Sequence, residues 1–280
     1  IAWSEVYDTK SYYLASACET VAIAPEGLPV VTGMNINQSY YAGTLELLGV
    51  SANFEHVGDF KSAVEPYERT GPSEAARAAT DGLLDGLFSH ITAGMATGRG
   101  LEHEDMLALI DAPPITARDA VERGLVDERV YRTELIDRLE DDGGITTATT
   151  SDGMSGFGAR RIAVIHADGP IMPGKSGNDV FGSSVVGSRS LVQLIRDVSD
   201  DDNFEAVVLR VNSPGGSGSA SDDIWHALEA LKAKKPLVVS MGDYAASGGY
   251  YIAMGADRIF AEPTTITGSI GVFGGKMNLA

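Results

Sequence analysis

An α/β fold built around a parallel sheet is predicted for this chain, and three observations predict it. Beyond Ala159, short apolar runs of strand length alternate with amphipathic stretches of helical period, the order that βαβ units require. Two strand-to-helix junctions are rich in small residues, Arg210-Val-Asn-Ser-Pro-Gly-Gly-Ser217 and Gly242-Asp-Tyr-Ala-Ala-Ser-Gly-Gly249. In such folds ligands bind near the carboxyl ends of the strands. With 44% hydrophobic and 21% charged residues the composition is ordinary for a globular protein, and 280 residues suffice for two modest domains or one large one.

In order, Ile1 to Val6 reads as a strand, Asp8 to Ala17 as a helix and Thr20 to Ala24 as a short strand, with Pro25-Glu-Gly-Leu-Pro29 a loop. Tyr40 to Leu48 is a helix with Tyr41, Leu45 and Leu48 on one face, stopped by Gly49. Ser51 to Val57 is a strand. Ser73 caps a long helix reaching about Thr97, in which Ala76, Ala79, Leu83, Leu87 and Ile91 keep helical spacing. Thr116 to Gly124 is a helix and Leu125 to Tyr131 a strand. Residues 140–159 are small and polar and read as an exposed linker between a first domain, 1–139, and a second, 160–280. In the second domain Ile162 to His166, Ala206 to Val211 and Leu237 to Met241 are strands. Ser190 to Val198 and Ser219 to Lys232 are helices, the latter with Ile224, Leu228 and Leu231 inward.

The formal net charge of −18 argues against nucleic acid and anionic membrane surfaces as direct partners. Cys18 stands alone, so no internal disulfide is possible, and His56, His90, His103, His166 and His226 show no ligand spacing; no metal or cofactor is expected. No apolar run approaches membrane-spanning length. The chain opens on Ile1-Ala-Trp without an initiator methionine and stops at Leu279-Ala280, so it reads as a piece cut from a longer protein, with any anchor outside it.

The two domains carry an internal repeat. Val6-Tyr-Asp-Thr-Lys-Ser-Tyr-Tyr-Leu-Ala15 lies over Tyr244-Ala-Ala-Ser-Gly-Gly-Tyr-Tyr-Ile-Ala253 without a gap, and Thr32-Gly33 corresponds to Thr267-Gly268 after a three-residue gap. Thr9 then stands where the second copy has Ser247, and Lys10-Ser11 replaces Gly248-Gly249.

Ser247 is the candidate nucleophile. Ala245, Ala246, Gly248 and Gly249 leave room for a substrate chain, and the Gly248 N–H opens a helix, where negative charge is stabilised. A serine hydroxyl needs a base. No histidine lies in a suitable stretch. Lys61, in Val57-Gly-Asp-Phe-Lys-Ser-Ala-Val-Glu-Pro66, follows a strand among Phe60, Ala63 and Val64, and burial there would favour a neutral amine. Asp59 and Glu65 must turn away for that to hold. Lys276, in Phe273-Gly-Gly-Lys276, is the competing base. The Pro214-Gly215-Gly216 turn exposes backbone N–H groups at a helix start, as an oxyanion hole or an anion nest does.

Asp59-Phe-Lys-Ser-Ala-Val-Glu-Pro66, Arg210-Val-Asn-Ser-Pro-Gly-Gly216, Ala245-Ala-Ser-Gly-Gly-Tyr250 and Thr267-Gly-Ser-Ile-Gly271 together resemble the long form of the signal peptide peptidase A (protease IV) family. The resemblance implies a Clp-protease/crotonase-like superhelical fold in two tandem copies, both truncated in this chain. It implies Ser247 as nucleophile, Lys61 as general base, Gly215 and Gly248 as oxyanion donors and Ser269 as the serine that positions the lysine. It also implies a membrane-anchored, extracytoplasmic homo-oligomer that degrades released signal peptides, and it requires no cofactor. Because Lys61 and Ser247 lie on opposite sides of the linker, the site is expected at a domain or subunit interface. Two rival functions are weighed: crotonase-like acyl-CoA chemistry, which also uses a Pro-Gly-Gly oxyanion turn and needs neither Ser247 nor Lys61, and a peptide-binding scaffold without catalysis.

Overall fold

The computed structural model describes residues 1–111, 116–141, 161–179 and 182–279. Along the chain they form β1 (Ala2–Asp8), α1 (Thr9–Ala15), β2 (Val21–Val30), α2 (Ala42–Leu47), β3 (Val50–His56), α3 (Glu65–Glu68), α4 (Glu74–Arg99), α5 (His103–Asp111) and α6 (Ala117–Glu122). There follow β4 (Glu128–Arg129), α7 (Arg132–Asp141), β5 (Arg161–Asp168), β6 (Ile171–Met172), β7 (Gly177–Asn178), β8 (Ser184–Gly187), α8 (Ser188–Asp200) and β9 (Phe204–Ser213). The last are α9 (Gly218–Lys232), β10 (Leu237–Ala246), α10 (Gly248–Ala253), β11 (Arg258–Phe260), β12 (Ile266–Gly268) and β13 (Phe273–Leu279). The fold is mixed α/β, as expected.

Two compact units result, one of Ile1–Asn37 and Thr80–Met154, the other of Gln38–Ala79 and Ser155–Ala280. This division departs from the boundary read in the sequence. Residues 38–79, with Lys61, group with the unit that carries Ser247 rather than with the first copy. From residue 142 onward the expected linker lies outside the described residues.

In the first unit β1, β2 and β4 form a parallel sheet. Asp8 caps α1 by accepting the Ser11 N–H at 2.7 Å, and Ser11 Oγ accepts the Asp8 N–H in return. Tyr12, Val21, Ile23, Met95 and Met106 form the core. Strand β2 runs through Pro25 to Pro29, where a loop is expected. Pairing with β1 breaks between Ile23 and Leu28, so Pro25 falls in the break. Pro29 lies on a stretch with one neighbour, because β4 pairs only with Ala22 and Ile23. The expected strand from Leu125 to Tyr131 shrinks to β4, because Leu125 and Val126 turn into the core at the end of α6.

In the second unit the order β11-β10-β9-β5 is parallel throughout, with β12 continuing beside β10. Alternate residues Ala163 and Ile165, Val207 and Leu209, and Val239 and Met241 face one side, where Leu191 and Ile195 of α8, Ile224 and Leu228 of α9 and Ile252 of α10 cover them. Strands β3 and β13 pair antiparallel outside that sheet. Helix α2 buries no residue, and of the three residues read on one face Tyr41 and Leu48 are exposed.

The repeat is visible in the pairing. Val6, Tyr7 and Asp8 pair with Leu28, Pro29 and Val30, while Tyr244, Ala245 and Ala246 pair with Ile266, Thr267 and Gly268. The partners are equally far apart along the chain, so the correspondence continues without the three-residue gap read in the sequence.

Candidate active site

Strand β10 ends at Ala246, and the chain turns through Ser247 into α10. Ser247 is held at φ 51°, ψ −115°, a region that non-glycine residues rarely occupy. Its N–H donates to Gly268 O at 2.8 Å, and its carbonyl accepts the Tyr251 N–H at 2.9 Å. The backbone is thus pinned on both sides and the hydroxyl stands free of the strand. Ser269, immediately after β12, also has a positive φ, of 47°. Two strained serines therefore face the same spot.

That spot holds the Lys61 amine. Lys61 Nζ lies 3.1 Å from Ser247 Oγ and donates to Ser269 O at 2.7 Å and Ser269 Oγ at 3.1 Å. The lysine is 4% exposed, and burial holds its pKa below the ordinary lysine value. Its placement follows from the antiparallel pairing of β3 with β13. Phe273 of β13 pairs with His56 of β3, the Val57 N–H donates to Val272 O at 3.2 Å, and the turn at Gly58 then delivers Lys61 beside Ser269. Asp59 is exposed, and Glu65 turns its carboxylate to Ser73. Lys276 is exposed on β13 opposite Asn53 and makes no bond to Ser247. Both partners of the 3.1 Å contact belong to one compact unit.

The turn after β9 supplies backbone donors. Gly215 has φ +96° and Gly216 φ +153°. The Ile171 N–H donates to Gly215 O and the Ser217 N–H to Ile171 O, each at 2.8 Å, and so fix the turn against β6. The Gly215 N–H, expected to face the substrate, donates instead to Ser213 Oγ at 3.1 Å. Among the described residues the N–H of Gly216 has no acceptor, nor does that of Gly248 at the free end of α10. The two are close, since a Cβ placed on Gly248 would lie 3.2 Å from Gly216 N. The signal for this exchange was the Ser213 side chain two residues before Gly215, a serine-turn pattern.

Beside Ser247 an open cleft of about 540 Å³ is lined by Val57, Tyr250, Met254, Ile270 and Val272, with Gly216 and Gly248 at its inner wall. In the first copy the equivalent position is spent: Thr9 Oγ1 donates to Thr32 O at 2.8 Å and accepts the Thr32 N–H at 3.0 Å.

A serine hydroxyl, a buried amine whose pKa burial lowers and convergent N–H donors beside an apolar cleft define a protein of the serine-hydrolase type. The model of Peptidase family S49 matches residues 1–146 and 229–280, and the chain belongs to that family. The matched ranges contain Lys61, Ser247, Gly248 and Ser269 but not the Pro214-Gly215-Gly216 turn. The chain is 31% identical to "Serine protease SPPA, chloroplastic" of Arabidopsis thaliana over its whole length and 43% of the relative's. It is 36% identical to "Protease 4" of Salmonella typhi over 98% of the chain and 46% of the relative. For "Protease 4" of Haemophilus influenzae the identity is 32%, over 98% of the chain and 47% of the relative. The chain thus spans less than half the length of these relatives. A ClpP1 mutant from Listeria monocytogenes aligns over 35% of this chain and 47% of its own at 21% identity, with a TM-score of 0.26, too slight to carry an argument.

Proposed function

We propose that this protein is a serine endopeptidase with Ser247 as nucleophile and Lys61 as general base. The observation that carries this is the buried Lys61 amine 3.1 Å from Ser247 Oγ, with no carboxylate among its hydrogen-bond partners in the described residues. Neutral Lys61 takes the Ser247 proton as Oγ bonds to a peptide carbonyl carbon. The N–H groups of Gly248 and Gly216 hold the resulting oxyanion; Gly216 takes the place first assigned to Gly215, whose N–H is already engaged. The Lys61 ammonium then protonates the leaving amine as the C–N bond breaks. Water, losing a proton to Lys61, releases the acyl group. Ser269 keeps the amine aimed through both its oxygens.

Substrates are extended apolar peptides, released signal peptides among them, seated in the cleft beside Ser247. A homo-oligomer at the extracytoplasmic face of a membrane follows from the family resemblance alone. No helix among the described residues is long and apolar enough to cross a membrane.

Labelling with a fluorophosphonate probe tests the reading. The parent is expected to label and Ser247→Ala not to label at any pH; a parent that never labels is a binding scaffold. The labelling rate should rise with pH as the lysine loses its proton, with a midpoint below the ordinary lysine value because burial disfavours the ammonium. In the cleft, Val272→Asp puts a charge where an apolar side chain docks. For an apolar peptide KM is expected to rise about tenfold or more while kcat stays within about twofold; an unchanged KM places the peptide elsewhere.

A further inference from the structure

Glu65 has no step in the chemistry above, yet it is 7% exposed and lies four residues after Lys61, at the start of α3. Both its oxygens are occupied. Oε1 accepts the Ser73 hydroxyl at 2.6 Å and Oε2 accepts the Ser73 N–H at 2.9 Å. Ser73 Oγ in turn accepts the Ala76 N–H at 3.0 Å in the first turn of α4, so the carboxylate sits beside a capped helix start. The stretch from Glu65 to Ser73 is thereby closed on itself, directly after Val64, which is 1% exposed. Titratable groups on the segment that carries Lys61 and on the elements bordering the site are Asp59 and Glu65, Glu55 and His56 of β3, Tyr250 and Tyr251 of α10 and Lys276 of β13. Of the acids among them, Glu65 alone is buried. A buried carboxylate free to turn to the amine would hold a proton on it.

We infer that Ser73 is a positioning residue for the general base: by holding both oxygens of Glu65 it fixes the segment that carries Lys61 and keeps that carboxylate off the amine. The inference rests on Lys61 acting as base. Ser73→Ala removes the hydroxyl donor and leaves the N–H, so one carboxylate oxygen is released.

The experiment is the pH dependence of fluorophosphonate labelling in the full chain, with folding followed by circular dichroism. For Ser73→Ala the curve is expected to move to alkaline pH. Labelling at pH 7 falls about tenfold, while the alkaline plateau stays within about twofold of the parent. Ser73→Thr, which keeps the hydroxyl, restores the parent curve. Adding Glu65→Gln to Ser73→Ala also returns the midpoint, since the amide carries no charge. A Ser73→Ala curve superimposed on the parent's, or lowered by one factor at every pH, overturns the inference. So does a midpoint that Glu65→Gln fails to return. Should Ser73→Ala not fold, Glu65→Gln alone decides: a midpoint at or below the parent's is expected, and an alkaline move overturns the inference. Labelling that survives Lys61→Ala overturns the base assignment and this inference together; the Ser73 outcomes overturn the inference alone.

Discussion

Lys61→Met is expected to slow fluorophosphonate labelling by about 10³–10⁴-fold and, at neutral pH, to raise the thermal midpoint by about 2–4 °C. Methionine is unbranched and fills nearly the same space, so the cleft wall stays while the base is lost. The stability gain follows from burial. The folded pKa of Lys61 lies below its unfolded value, because the amine is 4% exposed. Between the two values the unfolded chain binds more protons, so parent stability rises as pH rises through that window. Below it, keeping the amine buried costs stability that methionine does not. The carbonyl of Ser269, which loses a donor, belongs to an exposed residue and can take water. The gap in midpoint between variant and parent should therefore be widest near pH 6 and close toward the ordinary lysine value, measured by scanning fluorimetry from pH 6 to 10. Equal midpoints at every pH would sink the burial account; fast labelling would sink the base. Lys276→Met, on the exposed face of β13, is expected to change neither.

What could be read in the sequence was whatever lies within one or two turns of chain. Strands β5, β9 and β10 and helix α9 announce themselves by period, and Ile224, Leu228 and Leu231 are all inward. The Ser247 turn is marked by its small neighbours. Helix α7 escaped because its charged sequence buries only Leu135, leaving no apolar stripe to detect. The grouping of Lys61 with Ser247 escaped for a different reason. It depends on β3 pairing with β13 across more than half the chain, and nothing local in Val50–His56 names that partner. The donor exchange at the oxyanion turn was finer still. Gly215 and Gly216 are alike as residues; only the Ser213 hydroxyl, which takes the Gly215 N–H, separates them.

Gly215→Ala is expected to lower labelling by about 100-fold or more and to destabilise the second unit by about 2–4 kcal/mol. Two effects add. The backbone at φ +96° suits glycine, and a Cβ there would lie 2.5 Å from Gly248 N, 2.8 Å from Ala246 O and 2.8 Å from Ser247 Cβ. None of these can yield without moving the nucleophile turn, which the 2.8 Å bond from the Ser247 N–H to Gly268 O otherwise fixes. Gly86→Ala, where a Cβ meets nothing within 4 Å in the helical α4, serves as control and is expected to be neutral or slightly stabilising. Near-parent labelling by Gly215→Ala would mean that the turns around Gly215 and Ser247 do not approach as described. Ser213→Ala separates the steric role of Gly215 from a donor role. It frees the Gly215 N–H and adds no bulk, while Ile171 still holds the turn through two 2.8 Å bonds. With Gly216 and Gly248 as the donors, labelling should stay within about tenfold of the parent. A rise above the parent would instead return Gly215 to the oxyanion hole, with Ser213 as its competitor.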